Sequence, residues 1–277
     1  MNIYQEWIPA GHENWCQVRI TENGIRFAVN RQANDILDFD AACDYNALCL
    51  KKDYPHSKFY LSFSGGMDSE LVAKVLLRNK IDFVPVVLEI GTVNALETWY
   101  AHYWCWSHNI KPLVISLSYD QYQRKVMPLL GKLKHTHNHG SIINLWLGNH
   151  IRDLGGTMVT GLCDINYDCE SKRFFNDVMD WSNEVFNHSI HPCGFFCYTP
   201  ELAASYVNQF DTSIHEQYNK SKFYGIAPRP KIPSVHMIAN ATPFIRSMMD
   251  KFWQHNNCTE VNWLGTKDQV LAMLTKT

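Results

Sequence analysis

At 277 residues with a formal charge of −2, the chain is long enough for one large domain with elaborations and has no overall field that would hold nucleic acid or an anionic membrane. Aromatic residues make up 13% of it, which suits a globular protein with large cores or an aromatic-lined pocket. No apolar run reaches the roughly 18 residues of a membrane span, and Met1 to Glu6 do not read as a signal peptide, so a cytoplasmic protein without a membrane partner is expected.

In chain order, Val18 and Ile20 alternate ahead of Thr21-Glu22-Asn23-Gly24, and Ile25, Phe27 and Val29 alternate after it, which predicts a hairpin over 16–29 with an Asn-Gly turn. Residues 40–52 predict a helix and 58–63 the first core strand. After a Ser/Gly/Asp cluster, Leu71, Val72, Val75 and Leu76 recur at helical spacing until about residue 80. The run 83–90 is a continuously apolar strand of the kind buried in parallel sheets. A helix over 96–108, dense in Trp99, Tyr100, Tyr103, Trp104 and Trp106, is expected to be core, and 112–117 is the third strand. Helices over 121–133 and 143–154, the second stopped by Gly155-Gly156, lead to a fourth strand at 157–160. Strands alternating with helices over short joins argue a doubly wound parallel α/β sheet.

Beyond about residue 170 the strand signal fades and helices are expected, one over 241–255 and a last one opened by the capping box Thr266-Lys267-Asp268-Gln269. The organisation expected is a hairpin and helix packed on the core over 1–57, an α/β core over 58–170 and a mainly helical part covering the site over 171–277. Nine cysteines, odd in number and scattered, fit reduced thiols packed as small hydrophobes better than a disulfide framework. Cys193-x-x-x-Cys197 and the trio His135, His137 and His139 match no recognised zinc spacing, and stay open between metal ligands and plain loop.

All of this surrounds the stretch from Phe59 to Leu71, which reads as a buried strand, a tight turn and the start of a helix. The first N–H groups of that helix have no partners within it, and glycines let an anion approach them, so phosphate is the natural guest. Ser64 and Ser69 add hydroxyl donors. Asp68 would repel a bare phosphate and makes more sense beside a magnesium ion that bridges phosphate oxygens. Ser64-Gly65-Gly66-Met67-Asp68-Ser69 resembles the SGGxDS pyrophosphate-binding loop of the N-type ATP pyrophosphatases, a superfamily that includes asparagine, NAD, GMP and β-lactam synthetases and several tRNA-modifying enzymes. The resemblance implies an adenine nucleotide alpha-hydrolase-like fold, ATP and Mg2+ as cofactors, and adenylation of a substrate oxygen with release of pyrophosphate. It places Ser62, Ser64, Gly65, Gly66, Met67, Asp68 and Ser69 against the nucleotide, with Leu88 and Glu89 holding the ribose or base and Gly161 in a second turn.

Within the superfamily the chain is most similar to the asparagine synthetase C-terminal domain. That likeness implies that Asp68 and Asp164 share the metal. The turn Thr160-Gly161-Leu162-Cys163-Asp164 is one residue off the family's Gly-to-Asp spacing, which leaves Asp168 as reserve ligand and helix capping as the other role for Asp164. Segments 194–201 and 220–225 resemble those that cover the active site in such proteins, so Lys222 is either the cation that offsets charge on the phosphoryl oxygens or an ordinary surface lysine. About 57 residues ahead of the first core strand leave no room for a glutaminase domain, so ammonia or another nucleophile is expected from elsewhere. The acceptor is a small molecule or a modified nucleobase, and a homo-oligomer is allowed. The rival readings are a sulfur-transfer or tRNA-modifying relative, adenylylsulfate-reductase-like or thiolating, in which Cys163 is chemical rather than packed, and a nucleotide-binding module without turnover.

Overall fold

The computed structural model describes residues 7–21, 24–92, 94–132, 139–162, 165–176, 194–214, 216–228 and 262–276. Three short strands come first, β1 (Ile8–Ala10), β2 (Cys16–Thr21) and β3 (Gly24–Val29), in an antiparallel sheet of that order. The pairing of Thr21 with Gly24 and of Cys16 with Val29 is the hairpin that the alternation predicts. β1 gave no strand signal, and its Pro9 is tolerated because the strand lies at an edge. The buried Trp15 ties this sheet to the body, its Nε1–H donating to the Cys197 carbonyl at 3.0 Å.

The central elements follow in the expected order: α1 (Phe39–Asp53), β4 (Phe59–Ser62), α2 (Met67–Arg78), β5 (Phe83–Ile90), α3 (Ala95–Ser107), β6 (Leu113–Leu117), α4 (Tyr119–Lys125), α5 (His139–Asp153) and β7 (Thr157–Val159). The four strands β4 to β7 are parallel and stand in the order β6-β5-β4-β7. The chain builds outward from β4 to β6 and then returns to the far side of β4, and that reversal makes the sheet doubly wound. Phe59, Leu61 and Val87 bury into one core with α1, α2 and α3, while Tyr60, Val86, Leu88 and Met158 bury into a second with α4 and α5. Burial on both faces is the reason these strands read as unbroken apolar runs.

Pro85 sits inside this sheet without breaking it. The Phe63 N–H donates to the Val86 carbonyl at 2.9 Å, so the polar groups of Pro85 face the other way, toward β6. The ladder with β6 begins only at Val86 opposite Leu113, and the missing N–H costs no bond.

Three expectations change. The helix from 121 starts earlier, at a capping box of Ser118 and Gln121, and ends before Pro128, with a 3-10 turn over Met127–Lys132. In α3, Trp104 is buried against Phe63, but Trp99, Tyr103 and Trp106 are 55%, 54% and 77% exposed and form an outward row of adjacent rings. The helix is therefore core on one face only. β8 (Ile165–Asp168), β9 (Arg173–Asn176) and β10 (Asn262–Gly265) make a second antiparallel sheet, in which β9 and β10 fall where a mainly helical part was expected and residue 170 lies in the turn between β8 and β9. Strands of four residues are too short to show a period.

The remaining described helices are α6 (Pro200–Gln209), α7 (Glu216–Tyr224) and α8 (Lys267–Leu274). The last opens as predicted, the Thr266 N–H donating to Gln269 Oε1 at 2.9 Å. The helix expected over 241–255 lies outside the described residues, as do His135, His137 and Cys193. Cys16, Cys43, Cys49, Cys105 and Cys197 are buried thiols, and burial pushes that of Cys105 up to about 11. Among the described residues no helix is long and apolar enough to cross a membrane.

Candidate functional site

The turn that leaves β4 lies where the strand order reverses, between β4 and β7, the place where an open α/β sheet binds ligands. Gly65 adopts φ +82°, and a Cβ there would stand 2.7 Å from the Ala101 nitrogen and 3.0 Å from the Glu97 carbonyl, so the turn is pressed against the first turns of α3. Gly66 then opens α2 with no side-chain cap, leaving its first N–H groups to an outside acceptor. The hydroxyls of Ser64 and Ser69 face each other at 3.4 Å, and Ser69 Oγ donates to the Gly66 carbonyl at 3.0 Å. On the far wall Gly161, just past β7, packs on the same turn, since a Cβ there would meet the Ser69 nitrogen at 2.8 Å.

Between these walls lies a cavity of about 280 Å³. Ser64, Gly66, Asp68 and Ser69 form one end. Val86, Leu88, Ile143 and Leu147 give the lining its apolar part, and Ser62, Asn144 and Thr160 add polar groups. Ser62 Oγ donates to Asn144 Oδ1 at 3.3 Å. The Thr160 hydroxyl is buried with no partner among the described residues, so it is available to whatever fills the cavity. Glu97 and Thr98 contribute from α3.

Asp68 is paired at the rim. Lys220 Nζ lies 3.2 Å from its Oδ1, and the Tyr224 hydroxyl donates to the same oxygen at 2.8 Å. Both come from α7. The lysine expected from the sequence, Lys222, stands two residues on, which turns it to the other side of the helix. It is exposed beside Asp211, whose carboxyl is held below the usual range by the Ser213 hydroxyl and N–H, with Lys222 and Lys267 adding to the effect.

Strand parity separates the other expected residues. Leu88 turns its side chain into the cavity, while its carbonyl accepts from Asn94 Nδ2 at 2.8 Å. Glu89 points to the opposite face of β5 and does not line the cavity. There it accepts from the Ser116 hydroxyl at 2.7 Å and meets His102 Nε2 at 2.8 Å, and these two hold its carboxyl below the usual range. A depressed carboxyl stabilises the fold above its unfolded pKa, and the contribution is lost as pH falls through the folded value. Glu89→Gln is therefore expected to melt about 1–2 °C below the wild type at neutral pH, small because the group is part exposed, with the gap closing toward pH 3; thermal melts across pH check it.

Ser62 lines the cavity as expected, and Met67 instead buries its side chain in the core beneath the turn. Segment 194–201, expected as a loop over the site, is core: Phe195, Phe196, Tyr198 and Thr199 are buried. Asp164 and Cys163 lie outside the described residues. Asp168 accepts from the Ser171 N–H at 2.8 Å in the turn after β8 and does not line the cavity. Among the described residues no three His, Cys, Asp or Glu side chains converge, and the loop's own carboxylate already carries an ammonium. This donor set does not by itself make a magnesium site.

Asn94, Glu97 and Asn144 were not among the expected site residues, and Thr160, Lys220 and Tyr224 lie in segments expected at the site without having been singled out there. Of these only Lys220 and Tyr224, one helical turn apart, carried a signal that could have been used.

No protein-family model and no curated protein matches the chain. Among solved structures it is similar to an NH3-dependent NAD synthetase from Campylobacter jejuni, at 12% identity over 80% of this chain and 96% of that one, with a TM-score of 0.37. An NMN synthetase from Francisella tularensis matches at 11% over 78% and 96%, with a TM-score of 0.38. A predicted subunit of tRNA methyltransferase from Methanocaldococcus jannaschii matches at 17% over 38% of this chain, TM-score 0.31, and the chain spans 53% of its length.

Proposed function

We propose that the protein is an ATP-using enzyme of the ATP pyrophosphatase type, which places the β- and γ-phosphates of ATP on the Ser64–Ser69 turn, transfers AMP to a substrate oxygen and releases pyrophosphate. The observation that carries this reading is the turn itself: Gly65 held at φ +82° with no room for a Cβ, two facing hydroxyls, and an uncapped helix start at the switch point of the sheet. The apolar lining of Val86, Leu88, Ile143 and Leu147 suits an adenine ring, and Ser62, Asn144 and Thr160 add polar groups that suit a ribose. ATP enters as its magnesium complex. An amine or ammonia then displaces AMP, asparagine-synthetase-like, from a small-molecule acceptor or a modified nucleobase. Among the described residues that line the cavity there is no cysteine, and the sulfur-transfer alternative is argued from Cys163, which lies outside them.

Calorimetry with ATP tests the reading. Each hydroxyl that donates to an ionised phosphate contributes about 1.5 kcal/mol or more, so Ser64→Ala with Ser69→Ala is expected to weaken ATP by about 100-fold in a protein that still melts like the wild type. Unchanged affinity in the folded double variant would remove the turn from the phosphate site.

A further inference from the structure

Tyr224 is set in place by two rings that lie parallel to its own. Its own ring lies between Phe39 at 5.8 Å and 12° and Phe196 at 5.6 Å and 10°, so elements far apart in the chain fix where its hydroxyl points. That hydroxyl donates to Asp68 Oδ1 at 2.8 Å. Lys220, one helical turn earlier on the same face of α7, bridges the carboxylate at 3.2 Å from Oδ1 and 3.4 Å from Oδ2. Asp68 is thus pinned by a rigid donor and neutralised by a flexible one.

The arrangement answers a question of charge. A bare aspartate at a polyphosphate turn would repel its ligand, but an aspartate paired with an ammonium presents a dipole whose positive end comes from outside the turn. Left to itself, a lysine on a part-exposed carboxylate wanders among many rotamers. With the carboxylate held by Tyr224, the ammonium has one place to sit. We infer, on the reading of the turn as a polyphosphate site, that Tyr224 is a positioning residue: by fixing Asp68 it keeps Lys220 at the turn as the counter-charge for the bound polyphosphate.

The test is titration of inorganic pyrophosphate and of ATP into the full chain, read by calorimetry. Tyr224→Phe keeps the ring stack and removes only the hydroxyl, so it should fold, with both ligands weakened about fivefold. Lys220→Met should weaken both by about 50-fold or more, an effect that shrinks with added salt. Adding Tyr224→Phe to Lys220→Met should then cost nothing further, a result that a merely structural tyrosine would not give. Wild-type affinity for pyrophosphate in Tyr224→Phe overturns the inference, and so does an undiminished fivefold loss in the Lys220→Met background; in both cases the turn remains the phosphate site. If the wild type itself takes up no pyrophosphate, the reading of the turn fails first and the inference with it.

Discussion

Gly65→Val is expected to abolish ATP binding and to lower the melting temperature by about 10 °C. Two independent costs meet at this position. A β-branched residue at φ +82° is strained wherever it stands, and here its Cβ would also lie 2.7 Å from a backbone nitrogen of α3 that cannot swing aside. Together they amount to roughly 2–4 kcal/mol, and for a chain of this size each kcal/mol shifts the midpoint by a few degrees. Gly161→Ala separates the two effects. Its strain is steric only, directed at the Ser69 nitrogen 2.8 Å away, and the simplest relief is a shift of the first turn of α2. ATP affinity should then fall far more than stability, as melting and calorimetry on the same preparation would show. A Gly161→Ala protein with full affinity would mean that β7 and the turn are not the two walls of one site.

Asp68→Asn should slow pyrophosphate release by about 10²–10³ while changing ATP affinity less than tenfold. In the ground state two terms oppose each other. Loss of a negative charge beside the phosphates favours binding, and release of Lys220 from its anchor disfavours it. In the transition state charge moves onto the leaving pyrophosphate, and an ammonium that is no longer held in place stabilises it poorly, so the loss appears in turnover. Asparagine keeps the shape and can still accept from Tyr224, which makes the variant a test of charge and not of packing. Pyrophosphate release across a panel of carboxylate and carbonyl acceptors, beside calorimetric affinities, checks it; turnover within threefold of wild type would sink the idea. Asp164→Asn is the companion: a loss that fails to add to that of Asp68→Asn places both carboxylates at one charge, and full activity removes Asp164 from the site.

Much of the fold was legible because buried parallel strands and amphipathic helices write long, regular patterns. Phe83–Ile90 and Ala95–Ser107 fall within a residue of where the sequence puts them. The turn from Ser64 to Ser69 was legible for a different reason, since its glycines answer a local need of the backbone, Gly65 taking φ +82° where no Cβ fits. What the sequence did not show was which side Glu89 and Lys222 face. Glu89 and Leu88 are neighbours in sequence and sit on opposite sides of a strand, and Lys220 and Lys222 lie on opposite sides of a helix. Asn144 and Thr160 are single polar residues in apolar surroundings, which no period announces. Phe195 to Thr199 looked like a surface loop and proved to be core, because the partners that bury it, Asn46 and Trp15, lie some 150 or more positions away.

The pairing of β4 with β7 has a kinetic side. Phe59 meets Thr157 across roughly a hundred intervening residues, whereas β4, β5 and β6 are joined by short crossovers. Chain closure over that distance gains its reward late, so β7 joins a sheet whose other strands can already be aligned. Gly161 reaches the turn at Ser69 only when that has happened, and the cradle is then among the last features to form. A ligand that grips both walls should therefore leave the folding rate of the chain almost untouched and act on the reverse step, holding the last-made pairing closed and slowing unfolding.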